Sequence, residues 1–324
     1  MKRGKNRWWM AVVAGWLLVS LIAGCSQPAA QSTGSELKGT ITISGAFALY
    51  PMVVKWGEEF QKLHPDVQFD ISAGGAGKGM SDALAGQVDI GMVSRAIKPE
   101  EEQQGAFWTS VTKDAVFGVV NTQNPVLKDL ASKGLTRDQL IDVYITGKIK
   151  TWGELVGRPE VTDEIHVYTR SDACGAADAW AGFLGNKKQE DLKGIGVYAD
   201  PGITEAVAKD PLGIGYNNLS YAYDAASGKP VTGIVVLPID VNQNGAADDS
   251  EVVDSKAKAI EAVATGRYPS PPARALNLVT KGKPSGLVQA FVLWTLTDGQ
   301  KFIDSAGYIA LPKTLLDEGI QKLK

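Results

Sequence analysis

From Gly39 to the C-terminus, β-rich runs and segments of helical period take turns, a pattern satisfied by an α/β architecture with a mostly parallel sheet. Residues 40–43 read as a strand that ends at Ser44-Gly45. Pro51 suits a first helical turn. Met52, Val53, Trp56, Phe60 and Leu63 then recur at helical spacing, with Lys55, Glu58, Glu59 and Lys62 between them. Strands are expected over 67–71, 88–93 and 115–120, with a short helix over 80–85. The alternation resumes with a strand over 165–169 and a helix over 175–184. Strands over 194–198, 213–216, 231–239 and 276–280 follow, and a last apolar-faced helix over 286–305. Two such stretches predict two lobes, with a ligand cleft where strand ends and helix N-termini converge.

The first residues concern address rather than fold. Lys2, Arg3, Lys5 and Arg7 precede an uncharged, mostly apolar run over 8–24. A basic start before an apolar run is the layout of a secretory signal. An uncleaved anchor, which takes about 20 apolar residues, is the alternative. Leu21-Ile22-Ala23-Gly24-Cys25 resembles the lipobox of bacterial lipoproteins, in which small residues fit the peptidase and the thiol accepts the lipid. The resemblance implies that residues 1–24 are removed and Cys25 is lipidated. The protein would then be an exported, membrane-anchored lipoprotein facing the periplasm or cell exterior. Residues 26–37 are small and polar, a flexible tether reaching at most about 40 Å. The remaining 300 residues carry 29 basic and 36 acidic side chains, net −7, with no basic stripe, which argues against nucleic acid. With Cys25 lipidated, Cys174 has no partner for an internal disulfide.

Three Gly-rich or small-residue turns each precede an expected helix: residues 45–50, 74–79 and 174–176. Helix N-termini present unpaired N–H groups and about half a positive charge, so they attract anions. One such turn is an ordinary strand-to-helix connection. Three of them together with Arg170, at the end of an expected strand, point to an anion site; a surface ion pair is the plainer reading of Arg170.

The order and spacing of ITISGAFALYP, SAGGAGKGMSDALAGQVDIGMVSR, VYITGKIKTWGEL, YTRSDACGAADAWAGFL, DPLGIGYNN, YPSPPARALNLV and FVLWTLTDGQKFIDSAGYIALP resemble the phosphate-binding, PstS-type branch of periplasmic solute-binding proteins. The resemblance runs from about Gly39 to the C-terminus. It implies a type II periplasmic-binding-protein fold, in which Arg170 grips an oxyanion and Asp172 orients it. The backbone amides of Ala48, Leu49 and Tyr50, those of Gly75, Ala76 and Gly77, Ser94, and Cys174, Gly175 and Ala176 would complete the site. This chain departs from the family where hydroxyls are usual. Residues 46–50 read Ala-Phe-Ala-Leu-Tyr, Ala76 stands for Ser, Ser94 for Asp or Ser, and Cys174-Gly175-Ala176 for Ser-Gly-Thr. Each lost hydrogen bond to a charged ligand forgoes about 1.5–3 kcal/mol unless Lys78, Arg95 or water replaces it. Cys174 reads either as a weak donor replacing Ser, its thiol acidified by the helix end, or as a compact packing residue.

A second motif lies outside this resemblance. Asp240, Asn242, Asn244, Gly245, Ala246, Asp248 and Glu251 fit the twelve-residue calcium-loop pattern throughout. A structural calcium is expected there. A solvated turn is the alternative, since no helix–loop–helix flanks the loop.

Catalysis is not expected. The two histidines, His64 and His166, lack ligand spacing, and no Gly-x-Ser-x-Gly elbow or Walker loop occurs. No catalytic cofactor is implied. The sequence thus predicts a monomeric lipoprotein that passes a small inorganic anion, phosphate first, to an ABC permease. Its expected lobes are 39–120 plus 270–324 and 121–269, after a signal over 1–24 and a tether over 25–38. The alternatives are another oxyanion or small solute, or a calcium-bearing surface lipoprotein for sensing or adhesion.

Overall fold

The structure, a computed structural model, describes residues 37–324. The expected signal, Cys25 and most of the tether lie outside the described residues. Nine strands form one sheet: β1 (Gly39–Gly45), β2 (Val67–Ala73), β3 (Ile90–Val93), β4 (Ala106–Asn121), β5 (His166–Arg170), β6 (Ile195–Val197), β7 (Gly213–Asn218), β8 (Ile234–Val236) and β9 (Ala273–Lys281). Their order is β2-β1-β3-β9-β4-β7-β5-β6, with β8 on β4.

The sheet is parallel toward both ends, where β1 pairs with β2 and β3, and β5 with β6 and β7. Around β4 and β9 it is antiparallel. Parallel neighbours require crossovers, and the helices at Tyr50–Leu63 and Ala76–Ala85 supply them in the first stretch. The Tyr50–Leu63 helix buries Met52, Val53, Trp56 and Phe60, the face its periodicity predicts.

Two separate apolar clusters give the molecule its two-lobed form. Ile41, Trp56, Met92, Val279 and Phe291 belong to one, and Phe117, Trp152, Trp180, Ile203 and Tyr216 to the other. Strands β4 and β9 serve both. Val111 packs in the first cluster and Ala115 onward in the second, while Ala273 packs in the second and Leu276 in the first. Near the C-terminus Tyr308 and Ile309 divide the same way, and Lys113 bridges to Ile309. The cleft therefore opens beside a pair of long strands shared by the lobes.

Several expected elements differ in length. β4 spans sixteen residues rather than six because β9 pairs along it from Lys281 to Ala273, with one bulge between Ser110 and Thr112. The expected strand over 231–239 shrinks to Ile234–Val236, between Pro230 and Pro238, which cannot donate to a ladder. The helix expected over 286–305 stops at Thr295 and resumes as a 3-10 turn, and a helix not expected from the sequence follows at Lys313–Leu323. At the break after Thr295 the hydroxyls of Thr295 and Thr297 donate back to the carbonyls of Val292 and Leu293.

Candidate functional site

β5 ends at Arg170, whose N–H donates to the Tyr216 hydroxyl on neighbouring β7 at 3.3 Å. The Arg170 side chain is 1 % exposed. Its Nε and Nη2 donate side-on to both oxygens of Asp172, at 2.7 and 2.5 Å, and its Nη1 donates to Asp200 at 2.6 Å. A guanidinium has five N–H donors, so two remain for a ligand. Burial works against the Arg170 charge, but the Asp200 carboxylate, with Asp172, more than offsets it, and the group stays protonated.

Asp200 opens the Ala199–Lys209 helix, where the helix dipole favours a carboxylate. It accepts from the Asn218 side chain, and Asn217 donates to its backbone carbonyl at 2.9 Å. Burial raises its pKa despite Arg170. Sequence reasoning missed Asp200: it lies thirty residues past Arg170, in a helix start that carries no motif. Gln189 was also missed. Its Nε2 donates to the Asp172 carbonyl at 2.7 Å, and its Oε1 accepts from the Cys174 N–H at 3.0 Å, holding the loop after β5 in place.

The three turns meet at this arginine. In the first, Leu49 and Tyr50 N–H both donate to the Ala46 carbonyl at 3.1 Å, so these two expected donors are used within the turn. The N–H groups of Phe47 and Ala48 find no acceptor among the described residues. The Phe47 ring lies over the guanidinium, 5.6 Å from centroid to Cζ, and meets Tyr198 and Tyr221 edge-on at 6.2 and 6.5 Å. Phe47 was not among the expected site residues, although it stands directly before Ala48.

In the second turn, Gly75 N–H donates to the Gly45 carbonyl at 3.1 Å, and Gly77 N–H donates across the cleft to the Ala173 carbonyl at 3.1 Å. Two of the three expected donors are therefore engaged, and the third, Ala76, the first residue of its helix, keeps its N–H free. Gly75 has φ 91°, and a Cβ there would come within 2.7 Å of the Ala173 oxygen and 2.9 Å of Asp172. Only glycine admits both the backbone and the approach.

In the third turn, Cys174 caps the Gly175–Phe183 helix, its Sγ accepting from Ala177 N–H at 3.4 Å. The packing reading of Cys174 fits better than an acidified thiol: burial pushes the thiol pKa up to about 12, outweighing Arg170. Gly175 and Ala176 keep free N–H groups, and Ser94 Oγ has no partner among the described residues. Of the proposed compensating cations, Lys78 pairs with Asp82 at 2.5 Å, and Arg95 pairs with Glu101 at 2.6 Å and lies 3.5 Å from Asp178. Neither is directed to Arg170. What the turns offer an anion is a set of backbone donors, one hydroxyl and half a guanidinium fork, all inside a closed cleft.

The calcium-pattern loop lies elsewhere. Asp240 is 2 % exposed and accepts from Asn244 and Gly245 N–H at 3.2 and 2.9 Å. Glu251 reaches back to Val241 N–H at 2.8 Å and to Asp248 N–H at 3.1 Å. Asn244 Oδ1 accepts from Ala246 N–H, while the Asn242 and Asn244 amides donate to Asp248 at 2.7 and 3.0 Å. No three His, Cys, Asp or Glu side chains cluster in a metal-holding arrangement among the described residues. The loop closes on its own hydrogen bonds.

Comparison with known proteins sets this site in context. Residues 30–298 match the PBP superfamily domain. The phosphate-binding protein PstS of Bacillus subtilis (strain 168) is 28 % identical over 308 residues, covering 93 % of this chain and 92 % of that protein. PstS of Methanocaldococcus jannaschii is 28 % identical over 374 residues, covering 96 % and 94 %. Among solved structures, a substrate-binding protein from Clostridium perfringens, assigned to phosphate ABC transport and crystallised with bound phosphate, is 26 % identical. It superposes with a TM-score of 0.69 over 85 % of this chain and 100 % of its own.

Proposed function

The chain belongs to the PBP superfamily, a class of solute-binding proteins, and on that footing we propose that it is the extracytoplasmic solute-binding component of an ABC importer, taking inorganic phosphate between its lobes. The observation that carries this reading is the set of unengaged N–H groups at Phe47, Ala48, Ala76, Gly175 and Ala176, in the turns that meet at Arg170. Donors fixed by the backbone bind a desolvated oxyanion without reorganising. Arg170, held by Asp172 and Asp200, adds two charge-assisted bonds, and the Ser94 hydroxyl adds one more. Lobes of 39–120 plus 270–324 and 121–269, hinged on β4 and β9, would close on the ion and present a joint surface to the permease.

Lipidation of Cys25 after removal of residues 1–24 would keep the receptor beside that permease, on the strength of the lipobox-like sequence. No chemical step is implied. The same reading assigns a structural calcium to Asp240, Asn242, Asn244, Ala246, Asp248 and Glu251, supported by the complete twelve-position pattern.

One observation favours a second reading, another oxyanion or small solute in the same cleft. Phe47 and Ala76 remove hydroxyl donors, and two carboxylates sit on the only arginine of the cradle. Titration of the mature protein with phosphate, sulfate and other oxyanions, followed by tryptophan fluorescence, separates the two. Micromolar phosphate binding that Arg170→Ala abolishes is expected. A flat response at millimolar phosphate, with another ion giving a saturable one, replaces phosphate by that ion.

A further inference from the structure

A second space between the lobes takes no part in the oxyanion cradle. It measures about 650 Å³, within the range of small-molecule sites. One wall follows β3 through Arg95 and Lys98. A second is the Gly175–Phe183 helix at Asp178 and Gly182, and the floor is β4 and β9, with Trp108 and Arg274.

Most polar groups here are already satisfied. Arg95 is held by Glu101 at 2.6 and 2.8 Å, and Asn277 donates to the Val93 and Arg95 carbonyls. Arg274 is not satisfied. Its side chain is 8 % exposed; Nη2 donates to Asn218 and lies 3.6 Å from Asp114. Its Nε and Nη1 are buried with no acceptor among the described residues. Two buried guanidinium nitrogens, three N–H donors in all, without acceptors carry a desolvation cost that an incoming anion removes. Lys98, at the rim, makes no ion pair among the described residues, and its charge balances the second carboxylate on Arg95, so the wall is neutral overall and the unsatisfied donors are those of Arg274. The remaining surface at Ile97, Trp108, Ala179 and Pro271 is apolar.

We propose that this pocket is a binding site for a small organic anion, one charged head on a compact apolar body, with Arg274 as its anchor and Lys98 at its rim. A bare tetrahedral ion would leave most of the volume and all of the apolar wall unused. A cation would meet Lys98 at the rim and the unsatisfied Arg274 at the floor. The Arg274 nitrogens lie beneath the wall, so the head engages them with a rotamer change of that side chain. Because both lobes contribute walls, an occupant favours the closed arrangement. The site stands whether or not phosphate fills the cradle.

Calorimetric titration of the mature protein with benzoate, hexanoate and phenylphosphonate, in saturating inorganic phosphate, tests this. At least one probe should bind with one-to-one stoichiometry. Arg274→Gln should weaken it by about tenfold or more. Gly182→Phe should abolish it, because a Cβ there meets only Pro271 at 3.6 Å and the ring then projects into the pocket. If Arg274→Gln does not fold, Gly182→Phe with an unaltered melting temperature carries the test. The proposal is overturned if no probe binds, if binding survives Gly182→Phe, or if a folded Arg274→Gln binds as the wild type does.

Discussion

Gly175 and Ser94 meet across the cleft. A Cβ on Gly175 would come within 2.6 Å of the Ser94 carbonyl carbon and nearer still to its carbonyl and hydroxyl oxygens. The φ of Gly175 is ordinary, so glycine is required here by the approach of the lobes and not by backbone conformation.

Gly175→Ala should therefore fold normally but fail to close. An overpacked contact costs about 1–3 kcal/mol, which corresponds to roughly tenfold to hundredfold weaker phosphate binding. Small-angle scattering in saturating phosphate should show a larger radius of gyration than wild type. Unchanged affinity would mean that this contact does not govern closure.

Phe47→Thr should tighten phosphate binding. The hydroxyl adds a charge-assisted hydrogen bond of about 1.5–3 kcal/mol, while the lost ring-to-Arg170 interaction was worth about 0.5–1 kcal/mol. A gain of about tenfold by fluorescence titration is expected. Weaker binding would instead make the ring itself part of the ligand's enclosure.

Asp114, wholly buried on β4, has its pKa raised to about 6 by burial, against the pull of Arg274. Its folded pKa exceeds the unfolded value of about 3.9, so the folded state takes up the proton first. Its charge therefore opposes folding above pH about 6, and that cost is relieved as pH falls from about 6 to about 4, by at most about 3 kcal/mol. Denaturant melts of wild type and Asp114→Asn should show the wild type gaining on the variant over that interval. A pH-independent difference would contradict the raised pKa.

Calcium should raise the melting temperature of the mature protein relative to EDTA by about 2 °C or more, and Glu251→Gln should remove the difference. Equal melting temperatures in calcium and EDTA, with no metal on the purified protein, would reduce the loop to a self-bonded turn.

Arg170 was legible because it ends a strand whose hydrophobic run is local, and the three turns were legible because Gly and small residues mark helix starts. Which N–H groups in those turns stay free was not. Leu49 and Tyr50 lose theirs to the Ala46 carbonyl, and Gly77 loses its own to Ala173, nearly a hundred residues away. No spacing in the chain announces that Phe47 will lie over Arg170, or that Asp200 will share it.

The sequence by itself determined the α/β alternation, the buried face of the Tyr50–Leu63 helix and the candidate anion turns, because these depend on residues within a turn or two of one another. The tertiary structure decided the rest. The antiparallel pairing of β4 with β9 joins segments some 160 residues apart, and the packing of two cores around that pair sets which donors face each other. Such contacts are chosen by the burial of whole faces and the satisfaction of distant polar groups, and neither quantity is defined until the lobes are packed.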